Sequence, residues 1–127
     1  MSNHLIAPSL APWLTVADGA KAVDFYTRAF GATESFRLED PGGGLVVRLA
    51  IVNAEFWVSS EGVSGHVPAL GGNTIRLILT VADPDALYAQ AIEAGATVVF
   101  PVNESHGWRL GRLVDPFGLH WEIGRPL

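Results

Sequence analysis

The chain has 127 residues, among them thirteen acidic and eight basic side chains, which give a net charge of −5. This length suits one domain with a core that needs no disulfide staples, so we expect residues 1–127 to form a single domain. There is no cysteine, which excludes disulfides, thiolate metal ligands and a cysteine nucleophile. The basic residues are scattered and form no stripe, so nucleic acid is not an expected partner.

The first half of the chain predicts a strand, a helix and then three strands. Residues 9–16 alternate in polarity and include β-branched side chains, as a strand requires. Asp18 stands where a helix N-cap is expected, and Gly31 suits the residue that ends the helix. The helix should bury the side chains at helical spacing, Val23, Tyr26 and Phe30. Further strands are predicted at 32–38, 44–52 and 54–60, with a turn at 40–44.

The second half predicts the same order of elements. Residues 74–81 read as a strand, Asp83 as an N-cap, Pro84 as a residue of the first helical turn, and Gly95 as the residue that ends the helix. The apolar spacing in this helix is carried by Leu87, Ala91 and Ala94. Strands are predicted at 97–100, at about 108–114 and at 119–124, with a turn at 115–118.

An internal repeat links the two halves. The sequence Leu14-Thr15-Val16-Ala17-Asp18 recurs identically 65 residues later, at 79–83, and Gly31-Ala32-Thr33 recurs 64 residues later, at 95–97. Because the matches occur in the same order and at the same structural places, they predict repeated modules. We therefore predict an α+β fold of two tandem βαβββ modules with pseudo-two-fold symmetry, their sheets curved around a cleft. Module one covers about 8–60, a linker 61–73, and module two about 74–127.

Strand alternation sorts the side chains onto two faces of the sheets. One face is apolar and should pack on the helices; it comprises Leu14, Val16, Phe56, Val58, Leu77, Leu79, Val81, Leu119, Trp121 and Ile123. The other mixes charges with tryptophans; it comprises Ala11, Trp13, Thr15, Glu55, Trp57, Ser59, Arg76, Ile78, Thr80, His120 and Glu122. A sheet face with charges beside tryptophans either meets solvent or lines a cleft.

Three segments carry a family resemblance: LTVADGAKAVDFYTRAFGA, LTVADPDALYAQAIEAGAT and GRLVDPFGLHWEIGRP. On the basis of these segments, the chain resembles the glyoxalase / bleomycin-resistance / extradiol-dioxygenase superfamily, also called vicinal oxygen chelate. The resemblance extends from about Pro12 to Pro126. Its PhnB-like branch is the most similar. The resemblance implies a cleft for a small molecule and a homodimer, because relatives commonly complete their clefts by pairing modules across two chains.

The resemblance also implies four positions for metal ligands, two in each module. In this chain they are occupied by Ala11, Trp57, Arg76 and Glu122. Alanine has no donor atom, the indole nitrogen only donates a hydrogen bond, and a guanidinium repels a cation. We therefore expect no metal cofactor. If a divalent metal binds, His120 and Glu122 are the candidate ligands, because imidazole and carboxylate can be presented together two residues apart on a strand.

Several of these side chains have a functional and a structural interpretation. Glu122 is a candidate general base, or the ion-pair partner of Arg76, which the pseudo-symmetry places in the same cleft. His120 is a candidate catalytic or ligand-binding residue, or a hydrogen-bonded side chain at the cleft rim. Trp13 and Trp57 are predicted to stack on a flat or cationic ligand, or else to belong to the core.

The run His106-Gly107-Trp108-Arg109 forms the remaining candidate site. It is either a lid, with His106 as an acid or base and with Trp108 and Arg109 as ligand contacts, or an ordinary loop anchored by Trp108. The candidate catalytic residues are thus His120, Glu122 and His106.

Three functions remain open at this stage. The first is a metal-free protein that binds a small organic molecule, and the second is a metal-dependent lyase, isomerase or dioxygenase. The third is a metal-free enzyme that transfers protons through His120, Glu122 or His106. Residues 1–4 lack the features of a signal peptide, and no stretch approaches the roughly 18 apolar residues of a membrane span. We therefore expect a cytoplasmic protein without a membrane partner.

Overall fold

The computed structural model describes residues 9–60 and 75–127, and each stretch forms one module. The first contains β1 (Trp13–Thr15), α1 (Gly19–Phe30), β2 (Thr33–Glu39), β3 (Leu45–Ile51) and β4 (Ala54–Ser60). The second contains β5 (Arg76–Thr80), α2 (Pro84–Ala94), β6 (Thr97–Ser105), β7 (Trp108–Val114) and β8 (His120–Pro126). The predicted linker 61–73 lies outside the described residues. Of the helices that the structure describes, none has the length and apolar character needed to cross a membrane.

Each module builds its own four-stranded mixed sheet, in the orders β1-β4-β3-β2 and β5-β8-β7-β6. In the first sheet β1 runs parallel to β4 and pairs Leu14 with Val58. In the second, β5 runs parallel to β8 and pairs Leu79 with Ile123, so both partners are shifted by the same 65 residues. The predicted α+β fold and its repeated modules are therefore confirmed, and Leu14 and Leu79 occupy equivalent places.

The helices begin and end where the sequence predicts. Asp18 Oδ1 accepts a hydrogen bond from the Lys21 backbone N–H at 3.0 Å, and Asp83 Oδ1 accepts one from Ala86 N–H at 3.1 Å. Each aspartate thus satisfies a backbone donor that the first helical turn leaves free. Gly31 ends α1 in the left-handed region, at φ 69°. Such a backbone conformation favours glycine, which has no Cβ to clash.

The apolar face predicted from alternation packs on the helices, as expected. Its fully buried members are Leu14, Val16, Phe56, Val58, Leu79, Trp121 and Ile123. Its partly buried members, Leu77, Val81 and Leu119, pack against the same core. The opposite face of each sheet, which we call the open face, carries the predicted mixed set.

A buried carboxylate joins the two modules. Asp115, in the turn after β7, accepts hydrogen bonds at Oδ2 from the Tyr26 hydroxyl (2.6 Å) and from Trp121 Nε1 (2.9 Å). Its Oδ1 accepts the backbone N–H groups of Phe117 and Leu119, each at 2.9 Å. Burial, together with the charge of Asp115, raises the pKa of Tyr26 far above its usual range, so the hydroxyl stays a donor. The sequence predicted only a turn residue here.

Some predicted strand bounds were wrong. β1 starts at Trp13 instead of residue 9, because Pro12 has no N–H and contributes only its carbonyl, to Trp57 N at 2.9 Å. β6 runs to Ser105 instead of residue 100, straight through Pro101. An edge strand tolerates proline, and the register with β7 is irregular between Phe100 and Asn103.

The strands on either side of the linker also differ from their predicted ranges. β8 spans 120–126 instead of 119–124, because Trp108 at the start of β7 pairs with Pro126. β5 covers Arg76–Thr80 within the predicted 74–81, of which residue 74 lies outside the described part. The remaining strands begin and end within one residue of their predicted bounds.

Candidate functional site

The second module carries an ion pair where the resemblance implies metal ligands. Arg76 on β5 and Glu122 on β8 lie on adjacent strands, and Arg76 Nη1 donates to Glu122 Oε2 at 2.8 Å. The carboxylate is largely enclosed, with 12% of the Glu122 side chain exposed against 47% for Arg76. The predicted pair is therefore present, with its negative member in the drier position.

The four positions do not offer a donor set for a divalent metal. Ala11 has no donor atom, the Trp57 indole can only donate, and the Arg76 guanidinium already lies against Glu122. Within 9–60 and 75–127, no three His, Asp or Glu side chains cluster as metal ligands would. Metal chemistry of the kind implied by the resemblance has no matching ligand set at these positions.

A second arginine lies on the same open face. The neighbours of Arg112 on β7 point toward the helix side: a Cβ on Gly111 would touch Tyr88 of α2, and Leu113 is in the core. Arg112 therefore points to the open face, where its Nε donates to His120 Nδ1 at 3.2 Å. It is only 9% exposed. Sequence reasoning did not single out this residue, although alternation along 108–114 puts it on the face of Trp108.

A cavity of about 520 Å³ opens on this face. Its apolar walls are formed by Ile78, Phe100, Trp108 and Leu110. Its polar lining consists of Asn103, Ser105, His106 and Glu122. The structure thus brings three predicted site residues, His106, Trp108 and Glu122, to one cavity, whereas Phe100 and Leu110 were not predicted.

The run 106–109 forms a tight hairpin. His106 and Gly107 both have left-handed backbone conformations, at φ 53° and 81°, and together form the two-residue turn between β6 and β7. A turn of this length is too short to move as a separate lid. Ser105 Oγ lies 2.6 Å from His106 Nδ1, which orients the ring at the cavity mouth.

Arg109 lies away from this cavity. It follows Trp108 on β7, so alternation turns it to the helix side. There its Nη2 and Nε bind both carboxylate oxygens of Asp85, at 2.6 and 2.7 Å, and its Nη1 reaches Glu104 at 3.4 Å. The structure therefore does not bring Arg109 together with the other predicted ligand-binding residues.

The open face of the first module carries an aromatic platform. Trp13 and Trp57 stack with ring centroids 5.5 Å apart and an interplanar angle of 17°. Trp13 Nε1 donates to Ser59 Oγ at 2.8 Å, and the guanidinium of Arg48 lies 5.4 Å from the Trp57 ring centroid. Trp13 is 54% exposed, so the core interpretation of this tryptophan is wrong.

A second cavity, of about 440 Å³, lies between the two modules. The first module contributes residues such as Ala11 and Glu55 to its lining, and the second contributes Arg76 and Ile78. Ile78 borders both cavities, while Arg76 borders this one and Glu122 the other. The ion pair therefore stands between the two cavities.

Comparison with known proteins identifies the family. Residues 3–123 match the model of the Glyoxalase/Bleomycin resistance protein/Dioxygenase superfamily, and the chain belongs to this family. Uncharacterized protein Mb0911c of Mycobacterium bovis is 38% identical over 130 residues, covering 96% of this chain and 86% of that relative.

Solved structures show the same fold. TioX from Micromonospora sp. ML1 superposes with a TM-score of 0.73 at 28% identity, covering 94% of this chain and 100% of TioX. A glyoxylase/bleomycin resistance protein/dioxygenase domain from Frankia sp. EAN1pec superposes with a TM-score of 0.79 at 16% identity, covering 97% and 94% of the two chains. At 16% identity, the similarity to the Frankia domain concerns the fold alone.

Proposed function

We propose that this protein binds a small organic molecule on the open face of the second module, without a metal. The observation that carries the proposal is the 520 Å³ cavity, whose walls are mostly apolar and whose floor includes Glu122. Ligand sites are typically concave and apolar, with a few polar groups that fix orientation. Arg76 gives Glu122 a positive neighbour where the resemblance implies a metal ion.

The lining indicates the shape of the ligand. Phe100 and Trp108 offer aromatic surfaces, while Ile78 and Leu110 offer aliphatic ones. A flat or aromatic body would bury its faces against these side chains. Polar side chains lie at both ends of the cavity, Ser105 and His106 at the tip of the hairpin and Glu122 across from Arg112, so a polar group of the ligand has partners at either end.

We also propose that the protein is a cytoplasmic homodimer. Large apolar side chains remain exposed on both sheets, among them Trp13 (54%), Leu38 (58%) and Ile78 (64%). Within the described residues, the outer strands of each sheet pair on one side only, and proteins usually cover such edges. Pairing the first module of one chain with the second module of another would bury these side chains and close the cavity. The PhnB-like branch remains a prediction.

A metal-free acid–base enzyme is the second candidate. The observation that favours it is the presence of His106 and Glu122 in the lining of one cavity, with the ring of His106 oriented by Ser105. A base needs to reach its proton within hydrogen-bond distance, and two groups on one cavity meet this condition for a bound ligand. Turnover of a captured ligand that is abolished by Glu122→Gln would distinguish this function from binding alone.

The test combines elemental analysis with a thermal-shift screen of organic compounds. We expect less than a tenth of an equivalent of transition metal, and hits whose stabilisation is lost in Trp108→Ala. Val52→Ala is the control, because Val52 is exposed in the turn between β3 and β4 and borders neither of the two cavities described above. About one equivalent of metal that is lost in Glu122→Ala, or hits unaffected by Trp108→Ala, would contradict the proposal.

A further inference from the structure

We propose that Arg112, which His120 holds in place, forms a subsite for an oxyanion, so that the molecule bound in the cleft carries a carboxylate or phosphate group. This inference rests on the proposed function and specifies its ligand class. Within residues 9–60 and 75–127, Arg112 is the one buried arginine that has no acidic partner.

Five arginines in the described part of the chain pair with a carboxylate. They are Arg28, Arg37, Arg48, Arg76 and Arg109. Arg125 is exposed to water. Arg112 is 9% exposed and forms no salt bridge with any described carboxylate. A charge that is removed from water without a partner is costly, so a buried guanidinium of this kind is a natural site for an anion.

The terminal nitrogens of Arg112 are available to a ligand. Of the three side-chain nitrogens of Arg112, only Nε forms a hydrogen bond within the described residues, and it donates to His120 Nδ1. Yet no fully buried side-chain nitrogen in the described part lacks a partner. Nη1 and Nη2 must therefore both retain contact with open space. A guanidinium edge with two free N–H donors matches the two oxygens of a carboxylate or phosphate.

His120 holds the guanidinium of Arg112 in place. Because Arg112 Nε donates to its Nδ1, that nitrogen must carry a lone pair. This hydrogen bond fixes the direction in which the two terminal nitrogens of Arg112 point.

The local charge also favours an anion. Glu122 lies directly across from Arg112 in the β7–β8 register, but its carboxylate is bonded to Arg76. The two arginines and one glutamate leave a single positive charge in excess on this open face. Glu122 and Phe100 are the register partners of Arg112, and both line the 520 Å³ cavity. An apolar ligand body in that cavity would therefore bring its charged end near Arg112.

The experiment compares three probes, of which the first two have the same shape. They are 2-naphthoate, its neutral amide 2-naphthamide, and inorganic phosphate as an anion without an apolar body. Binding is measured by isothermal titration and by the side-chain ¹⁵N signals of arginine and histidine. Because hydrogen bonds to charged groups are worth more than neutral ones, we expect naphthoate to bind at least about ten-fold more tightly than naphthamide.

Arg112→Met removes the charge and retains the bulk of the side chain, and Arg109→Met is the matched control on the same strand with the opposite orientation. We expect the preference for naphthoate to disappear in Arg112→Met and to persist in Arg109→Met. Equal binding of naphthoate and naphthamide by the wild-type protein would overturn this inference and leave the binding function standing. A preference that survives Arg112→Met would also overturn it.

Phosphate separates the two proposals further. If neither naphthalene compound binds and the thermal-shift screen gives no hit, but phosphate shifts the Arg112 and His120 signals, the proposed function fails and the oxyanion subsite stands. If phosphate and naphthoate both leave these signals unchanged, the subsite is refuted. These wild-type spectra keep the test decisive even where Arg112→Met does not fold.

Discussion

Replacement of Asp115 by alanine should destabilise this protein more than any change in an exposed turn. The carboxylate accepts four hydrogen bonds, two from side chains and two from backbone N–H groups. The side-chain donors belong to Tyr26, which is 0% exposed, and Trp121, which is 4% exposed, so water cannot easily replace the lost acceptor. The change therefore leaves two buried donors at the junction of the modules without an acceptor.

The expected magnitude follows from these two donors. An unsatisfied buried polar group costs about 1–3 kcal/mol, and the backbone donors in the turn can be rehydrated. We expect Asp115→Ala to lower the free energy of unfolding by about 3–5 kcal/mol, in the range of changes that break a buried network. Tyr26→Phe should cost only about 1–2 kcal/mol, because Asp115 keeps its other three donors.

The sequence provides a matched control in the other Asp-Pro turn. Asp40 precedes Pro41 as Asp115 precedes Pro116, but Asp40 is exposed and its side chain accepts only one hydrogen bond, from Gly42 N at 3.3 Å. Asp40→Ala should therefore cost less than about 1 kcal/mol. Urea unfolding followed by tryptophan fluorescence measures all three variants. Equal losses for Asp115→Ala and Asp40→Ala would refute the assignment of Asp115 as the junction between the modules.

Three further predictions follow from contacts described above. In a double-mutant cycle, the losses of unfolding free energy in Arg76→Ala and Glu122→Ala should differ from additivity by about 1 kcal/mol, a value between those of exposed and buried ion pairs. Losses that simply add, measured by urea unfolding, would mean that the two residues do not interact. The hydrogen bonds from Arg109 lower the pKa of Asp85 below its ordinary 3.8. This pair therefore stabilises the fold above that pH, and its contribution is lost as the pH falls through the lower pKa of the folded state. Arg109→Met should flatten the acid side of the curve of unfolding free energy against pH, and an unchanged curve would count against the pair. Gly111→Ala would place a Cβ 2.9 Å from Tyr88 and from the Val102 backbone, and should cost about 1–3 kcal/mol by thermal unfolding, whereas Gly42→Ala, with 3.8 Å of space, should have little effect.

The fold could be predicted because its signals are local and repeated. The Leu-Thr-Val-Ala-Asp segment marks the same strand and helix cap twice, and alternation then assigns the faces. β6 was predicted to end at residue 100, directly before Pro101, whereas the strand continues through this proline to Ser105. Proline is excluded only where its missing N–H is needed, and an edge strand does not need it on its outer side.

The site was harder to predict because burial and pairing depend on tertiary contacts. Arg112 looked like one of several scattered bases, and only the structure shows that it is buried and that no described carboxylate pairs with it. Arg109 was grouped with Trp108 because they are neighbours in sequence, although neighbours on a strand point to opposite faces. Asp115 looked like a turn residue, since nothing local reveals that a helix 89 positions away supplies its hydroxyl donor.

The pairing of strands within each module has a consequence for how the chain can be divided. Each sheet takes all its strands from one continuous stretch, and no strand of one module pairs with a strand of the other in the described part. The halves meet through helix packing and through side chains such as Tyr26 and Asp115. The molecule thus has the organisation of a heterodimer whose two subunits are joined by the stretch of chain between residues 60 and 75. A chain cut between residues 60 and 75 should yield two fragments that reassociate on mixing, with an affinity set largely by that junction.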